Sequence, residues 1–361
     1  MFQSRQTTTA TNLGDLSKDI KLASPPEDST SALSWSPKNN YLAVASWDSK
    51  VRIYDVTAGD TGQGLTLIDL KGPALACAWS PDGTKVVGAG TDKTAQMIDL
   101  EHQPFTTIPV AVHDAPIRQV RFFEHPNSNG PMIVTGSWDK TVKYWDIRAP
   151  TGSPASSLTL QDRVYAMDVK DTMFVIGDAD TNVYIVNLTE PNKVWRARNS
   201  PLKCQTRAIS CFHDATGFAM VSIEGRGAFQ WADDQVHSVR SYTFKCHRNP
   251  SPDLKQTDVY TINSISTHPT YGTFVTGGSD GTFQFWDKER KCRLKEYPKV
   301  GGQISATSFN YDGSKMAYAV SYDWSQGFMR NRPDAPNWIG IHRVLEEDSK
   351  PRPPPTTAGR R

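Results

Sequence analysis

The feature that most constrains this chain is a turn that recurs along its length. Its clearest copy is GSWDKTVKYWD, from Gly136 to Asp146. A short apolar run (Met132 to Thr135) reaches a tight turn carrying Ser137, Trp138 and Asp139, and an alternating strand through Val142 and Tyr144 ends in Trp145-Asp146. Related turns begin at Ser46 (SWDSKVRIYD), Gly90 (GTDKTAQMID), Asp178 (DADTNVYIVN), Ser222 (SIEGRGAFQW), Gly278 (GSDGTFQFWD) and Ser321 (SYDWSQGF). The turn acids are therefore Asp48, Asp92, Asp139, Asp180, Glu224, Asp280 and Asp323, with gaps of 44, 47, 41, 44, 56 and 43 residues.

A period of about 40 to 45 residues closing on Trp-Asp marks WD-repeat propellers, in which each repeat supplies the four strands of one blade. The expected fold is all-β, a seven-bladed WD-repeat β-propeller over residues 18–344. A disordered tail (1–17) is expected before it, and a flexible, basic, Pro-rich tail (345–361) after it. The last blade shows three strands (Ile304 to Phe309, Met316 to Val320, Trp338 to Val344), while Asp19 to Ala23 forms a short strand ahead of the first blade. The N-terminal strand is expected to complete the last blade, which closes the ring and removes a free edge.

Composition narrows the function classes. A formal charge of +2 over 361 residues leaves any nucleic-acid contact to a local patch. The five cysteines are scattered and form no Cys-x-x-Cys pair, so neither a disulfide framework nor a zinc site is expected. The leading MFQSRQTTTATN lacks an apolar signal run, and no apolar stretch reaches membrane-spanning length. The expectation is a monomeric chain with reduced thiols, no metal, cofactor or small-molecule substrate, and no membrane insertion.

Three groups of residues stand out. His113, in HDAP, together with Ser137, Asp139 and Trp145 reads as a buried hydrogen-bonded chain, since a carboxylate in a packed turn needs donors around it. The same residue types could compose a hydrolytic Ser/His/Asp site, but the turn acid recurs in blades with no upstream His. On the face carrying the Asp turns, Trp47, Trp138 and Trp324 flank turn acids, and Arg207 and Arg226 lie near one rim of blade five. Aromatics beside Arg suit a binding surface for a carboxylate-bearing partner; the alternative is packing between blades and local ion pairs. That face also carries extra length around His247 to Thr257, between blades five and six. On the opposite face, DKERKCRLK gathers Asp287, Lys288, Arg290, Lys291 and Arg293 beside Trp286, with Arg240 in the matching loop of blade five. This is either a single-stranded nucleic-acid patch or a solvated hairpin. Loop-like insertions at Gly59 to Gly64 and Ala149 to Ser157 carry no assignable chemistry.

The phrases PPEDSTSALSWSP, HDAPIRQVRF, GSWDKTVKYWD, SPLKCQTRAI, SIEGR, TFKCHR, HPTYGTF, GSDGTFQFWDK and SYDWSQG together resemble the mRNA export factors of the nuclear pore. These WD-repeat proteins bind the GLEBS segment of an FG-nucleoporin. The spindle-checkpoint WD-repeat proteins, which bind GLEBS-like segments of checkpoint kinases, share most of the phrases; SYDWSQG and the polar N-terminal extension favour the export family. The resemblance implies a non-catalytic adaptor at the nuclear pore of the nuclear envelope, with some cytoplasmic pool. It further implies that GLEBS acids meet Arg207 and Arg226 beside Trp47, and that RNA or ribonucleoprotein, or a further partner, uses Trp286, Asp287 and Lys288. Lys291 and Arg293 keep charge but exchange Lys and Arg relative to the family.

Overall fold

The computed structural model describes residues 13–57, 61–125, 130–149, 152–251 and 255–352. Among them are seven four-stranded antiparallel sheets and one two-stranded hairpin, arranged as a β-propeller. The second strand of a blade is deeply covered: Met173–Asp178 and Gly217–Ser222 are buried at every position. These strands have sheet neighbours on both sides and blades on both faces, so they read as nearly continuous apolar runs. The outermost strands, such as Val194–Asn199 and Tyr242–Lys245, instead alternate between half-buried and exposed residues.

Blades pack through apolar layers shared between neighbours. Phe283, Phe285 and Tyr297 of blade six interleave with Ile304, Phe309 and Tyr318 of blade seven. The tryptophans that end the inner strands of blades one and two fix the angle between blades: Trp35 Nε1 donates to Ser308 O at 3.0 Å and Trp79 Nε1 to Ser34 O at 2.9 Å.

The N-terminal strand completes the last blade, as its missing fourth strand requires. Ile20 and Lys21 pair with Ile341 and Gly340 of the strand Trp338–Arg343. Asp19 locks this closure from below the pair, accepting from His342 Nδ1 at 2.7 Å and from the Tyr318 hydroxyl at 2.7 Å.

Both segments expected as tails carry packed structure where they are described. Gly14 N donates to Glu296 O at 2.8 Å, and Leu16 packs on the core shared by blades six and seven. Glu346–Ser349 form a short helix whose Asp348 accepts from the buried Tyr297 hydroxyl at 2.8 Å and faces Lys295 Nζ at 3.2 Å. Order extends this far because blade six presents an apolar edge and two polar anchors to them. Residues 1–12 and 353–361 of the expected tails lie outside the described residues, as do 59–60 and 150–151 of the two loop insertions and 252–254 of the third.

The inner strand of every blade is interrupted by a β-bulge at its second residue. Those residues are Ser31, Leu75, Arg118, Tyr165, Arg207, Asn263 and Ser305. A bulge re-aims a side chain out of the sheet alternation. Here it places five of the seven side chains, among them both arginines, along the axial channel.

Candidate binding face

The seven Asp turns share one backbone device. The residue after each turn acid adopts a left-handed conformation: Ser49, Lys93, Lys140, Thr181, Gly225, Gly281 and Trp324, with φ between 59° and 76°. In five of the turns the acid also accepts the backbone N–H two residues on, as Asp48 does from Lys50 at 3.1 Å and Asp139 from Thr141 at 2.9 Å, whereas in blade four Asp178 takes that place, accepting from Asn182 N at 2.8 Å. A tryptophan in this conformation is unusual for a bulky side chain.

In blade three the buried chain forms, but through a different hydroxyl from the one expected. His113 Nδ1 lies 2.8 Å from Asp139 Oδ2, His113 Nε2 lies 2.7 Å from Thr135 Oγ1, and Trp145 Nε1 donates to that same oxygen at 2.8 Å. The carboxylate assigns the proton to Nδ1, so Nε2 accepts from Thr135. Ser137, two residues nearer the turn, instead donates to Ala115 O and Pro116 O at 3.0 Å and accepts from Asp139 N. Ser137 therefore makes no bond with His113, and the group is not arranged as a Ser/His/Asp relay. Burial acts to raise the Asp139 carboxyl, but hydrogen bonds from Thr141 and His113 outweigh it and hold its pKa below the ordinary value. Burial lowers His113 by more than Asp139 lifts it. Blade six repeats the network with His247, Asp280, Thr276 and Trp286, which sequence reading missed because the extra hairpin separates His247 from its strand.

The five residues expected on the Asp-turn face divide into a rim set and a channel residue. Trp47 and Trp324 stack across the junction of blades one and seven, their ring centroids 5.0 Å apart and their planes 25° apart. Trp138 is half-buried, and its indole N–H finds no acceptor among the described residues. Arg226, on the third strand of blade five, faces Glu224 at 3.7 Å with 38% of its side chain exposed. Arg207 belongs to the same end of blade five, but its bulge sends it into the channel, where its Nη2 reaches Asp323 O at 3.5 Å. Burial lowers its pKa, partly offset by the Asp323 carboxylate.

The connections on this face add apolar surface that the sequence reading left out. Ile223 in the blade-five turn and Val259 in the hairpin Arg248–Ser251 with Gln256–Val259 are 41% and 43% exposed. Phe328 and Met329, in the long connection after Trp324, are 75% and 78% exposed. A cue existed in the unusual length between Val320 and Trp338, where the other blades turn in a few residues. Arg248 also sits here, donating to Glu224 O at 2.8 Å and Gly225 O at 3.2 Å.

On the opposite face the basic loop is largely committed to internal contacts. Trp286 is half-buried and donates to Thr276 at 3.0 Å, so its indole serves the blade-six network. Asp287 is buried and accepts from the backbones of Glu289 and Arg290. Lys288 is buried over the Phe212 ring. Arg240 pairs with Glu289, Arg293 with Glu296 at 2.7 Å, and Lys291 lies over the Tyr242 ring at 4.6 Å. Arg290 and Lys291 are the exposed cations of the loop with no ion pair among the described residues.

Comparison with known proteins places this geometry in context. The profile of the WD domain, G-beta repeat, matches residues 22–55, 66–99, 105–146 and 239–287. The chain is 50% identical over 357 residues to the mRNA export factor GLE2 of Chaetomium thermophilum, covering 98% of each chain. It is 47% identical over 354 residues to the Poly(A)+ RNA export protein of Schizosaccharomyces pombe, again covering 98% of each. It is likewise 47% identical over 347 residues to the WD40 repeat protein poxJ of Penicillium oxalicum, covering 95% of this chain and 98% of that one.

Proposed function

The chain belongs to the WD-repeat family of mRNA export factors, and on that footing we propose a non-enzymatic adaptor in mRNA export that captures the acidic GLEBS segment of an FG-nucleoporin on its Asp-turn face. The observation that carries this reading is the stacked pair Trp47 and Trp324 on a face that also exposes Arg226, Ile223, Val259, Phe328 and Met329. Aromatic anchors ringed by apolar residues and a fork-shaped cation are what an extended, partly acidic peptide requires. Trp324 keeps a left-handed backbone that glycine occupies more easily, which accords with selection for its side chain over local stability. Docking at the nuclear pore follows from the nucleoporin partner. The basic loop contributes less, because its charges are mostly paired within the chain.

Calorimetric titration of the full chain with two synthetic peptides tests the reading. One peptide is a nucleoporin GLEBS segment and the other a checkpoint-kinase GLEBS segment. Preference for the nucleoporin peptide supports the export adaptor. Preference for the kinase peptide makes the chain a checkpoint adaptor, and binding of neither removes the peptide-capture role.

A further inference from the structure

A cleft lies between blades four and five on the face opposite the Asp turns. It encloses about 470 Å³ and is floored by the buried Met173, Val186, Trp231 and Ala232, with Val236 of the short helix Asp234–Arg240 at its side. A cleft of that size takes one large side chain with room to spare. Its wall is Trp195, on the outermost strand of blade four. Ile185 pairs with Arg196 and Val186 with Val194, so Trp195 is the extra residue of a β-bulge and has no partner across the sheet. A bulge re-aims its side chain. Here the indole borders the cleft with 49% of the residue exposed. A half-exposed tryptophan beside an apolar floor has the composition of a binding hot spot.

Charge on the rim decides what the cleft can accept. Asp214, Asp233 and Glu289 stand there against one cation, Arg240. Arg240 pairs with Glu289 and lies over the Trp231 ring at 4.5 Å. Asp214 and Asp233 are left without an ion pair among the described residues. Within those residues each accepts through Oδ1 alone. Asp214 takes Thr216 N at 3.1 Å and the Thr216 hydroxyl at 2.8 Å, and Asp233 takes Gln235 N at 2.9 Å and Val236 N at 3.0 Å. Each Oδ2 is open to an ammonium or guanidinium group arriving from solvent. Arg196, over the Trp195 ring at 4.2 Å, and Arg198 do not neutralise this rim, because both are held by Asp234. The cleft therefore joins an apolar floor to an excess of negative charge, in a chain whose formal net charge is +2.

We propose that this cleft docks a linear segment of another protein, which inserts one bulky apolar side chain beside Trp195 and sets flanking Lys or Arg residues against Asp214 and Asp233. Burial of the apolar anchor supplies affinity, and the acidic rim rejects segments of the wrong charge. The inference does not rest on peptide capture at the Asp-turn face. That face suits an acidic segment and this cleft a basic one, so each selects a different partner.

The full chain, isotope-labelled at its methionine methyl groups, is titrated with the peptide acetyl-GKKLKKG-amide at constant ionic strength and followed by NMR. The Met173 signal is assigned through Met173→Leu. The expected result is a saturable shift of that signal. Acetyl-GKKSKKG-amide, which lacks the anchor, and acetyl-GEELEEG-amide, which reverses the charge, should each bind at least tenfold more weakly. Trp195→Ala should weaken the lysine peptide at least tenfold, with Tm close to the parent. Asp214→Asn combined with Asp233→Asn keeps both Oδ1 acceptors and removes the two charges. This pair should weaken the lysine peptide several-fold, and it serves if Trp195→Ala folds poorly. Absence of a saturable shift, equal binding of the lysine and glutamate peptides, or equal binding by the parent and these variants overturns the proposal. Binding that emerges only after Arg360→Ser with Arg361→Ser also overturns it, making the chain's own basic end the occupant. Self-association in sedimentation that Trp195→Ala abolishes does the same, making the occupant a second copy.

Discussion

Trp47 and Trp324 stack at 5.0 Å although they come from opposite ends of the chain, one preceding the turn acid of blade one and the other following that of blade seven. Their contact is possible because the ring closes between those blades, and because Trp324 takes the left-handed position that puts its side chain over the junction. Trp47→Ala should weaken acidic-peptide binding by about 30-fold, the effect of losing an aromatic anchor worth ~2 kcal/mol. Circular dichroism and thermal unfolding of the same variant should remain close to the parent.

Trp324→Gly separates binding from stability. Glycine relieves the left-handed backbone, while the stack with Trp47 is lost, so the two effects on folding oppose one another. Peptide affinity is expected to fall about tenfold, with a shift in Tm of only a few degrees. A large loss of Tm would return the tryptophan to scaffold.

Thr135→Val tests the corrected network in blade three. Valine keeps the shape but strands His113 Nε2 and the Trp145 N–H, which share the Thr135 hydroxyl. Denaturant unfolding should show a loss of about 1–3 kcal/mol, the cost of leaving buried polar groups unpaired. Ser137→Ala should leave the His113 bonds intact and act on the turn alone.

Much of this fold was legible because its signal repeats. The turn acid, the apolar second strand and the missing fourth strand of the last blade each follow from period and alternation, and ring closure by Ile20 and Lys21 follows from them. The choice between Thr135 and Ser137 did not, since both hydroxyls lie on one face of one strand and only packing decides which meets His113. Arg207 and Arg226 read as neighbours at one rim, but a bulge invisible to the pattern sends Arg207 into the channel. For the same reason Arg118, in HDAPIR, went unnoticed. The basic loop was legible only as charge, whereas its partners Glu289, Glu296 and Tyr242 are assigned by folding.

Acid should destabilise the ring in two stages. Burial lowers His113, and pushes His268 down to about 4, so both bind protons less readily folded than unfolded. Their contribution is present above the ordinary histidine value of about 6.5 and is lost as pH falls from there toward the folded values. Asp139, Asp280 and Asp323 are each held low by their donors against the opposing effect of burial. Their contribution is present above about 3.9 and is lost as pH falls further. Calorimetric scans should show Tm nearly level near neutrality, a decline below pH of about 6.5, and a steeper one below about 4.

Asp19→Ala should loosen the closure of the ring. It removes the acceptor shared by His342 and Tyr318, and the expected loss is about 1–3 kcal/mol in denaturant unfolding. Freeing the strand edge of Trp338–Arg343 should also produce concentration-dependent association in sedimentation experiments.

The most direct test of the adaptor reading is the salt dependence of nucleoporin GLEBS binding, compared between the parent chain and Arg226→Ala by calorimetry. Because Arg226 is exposed at the rim with only a long contact to Glu224, its removal should leave Tm nearly unchanged. Parent affinity is expected to fall as salt rises, since exposed charge pairs are screened within a Debye length of about 10 Å at 0.1 M. The variant should bind at least tenfold more weakly and lose part of that salt dependence. Equal affinity and equal salt dependence in the two proteins would contradict capture of an acidic segment on the Asp-turn face.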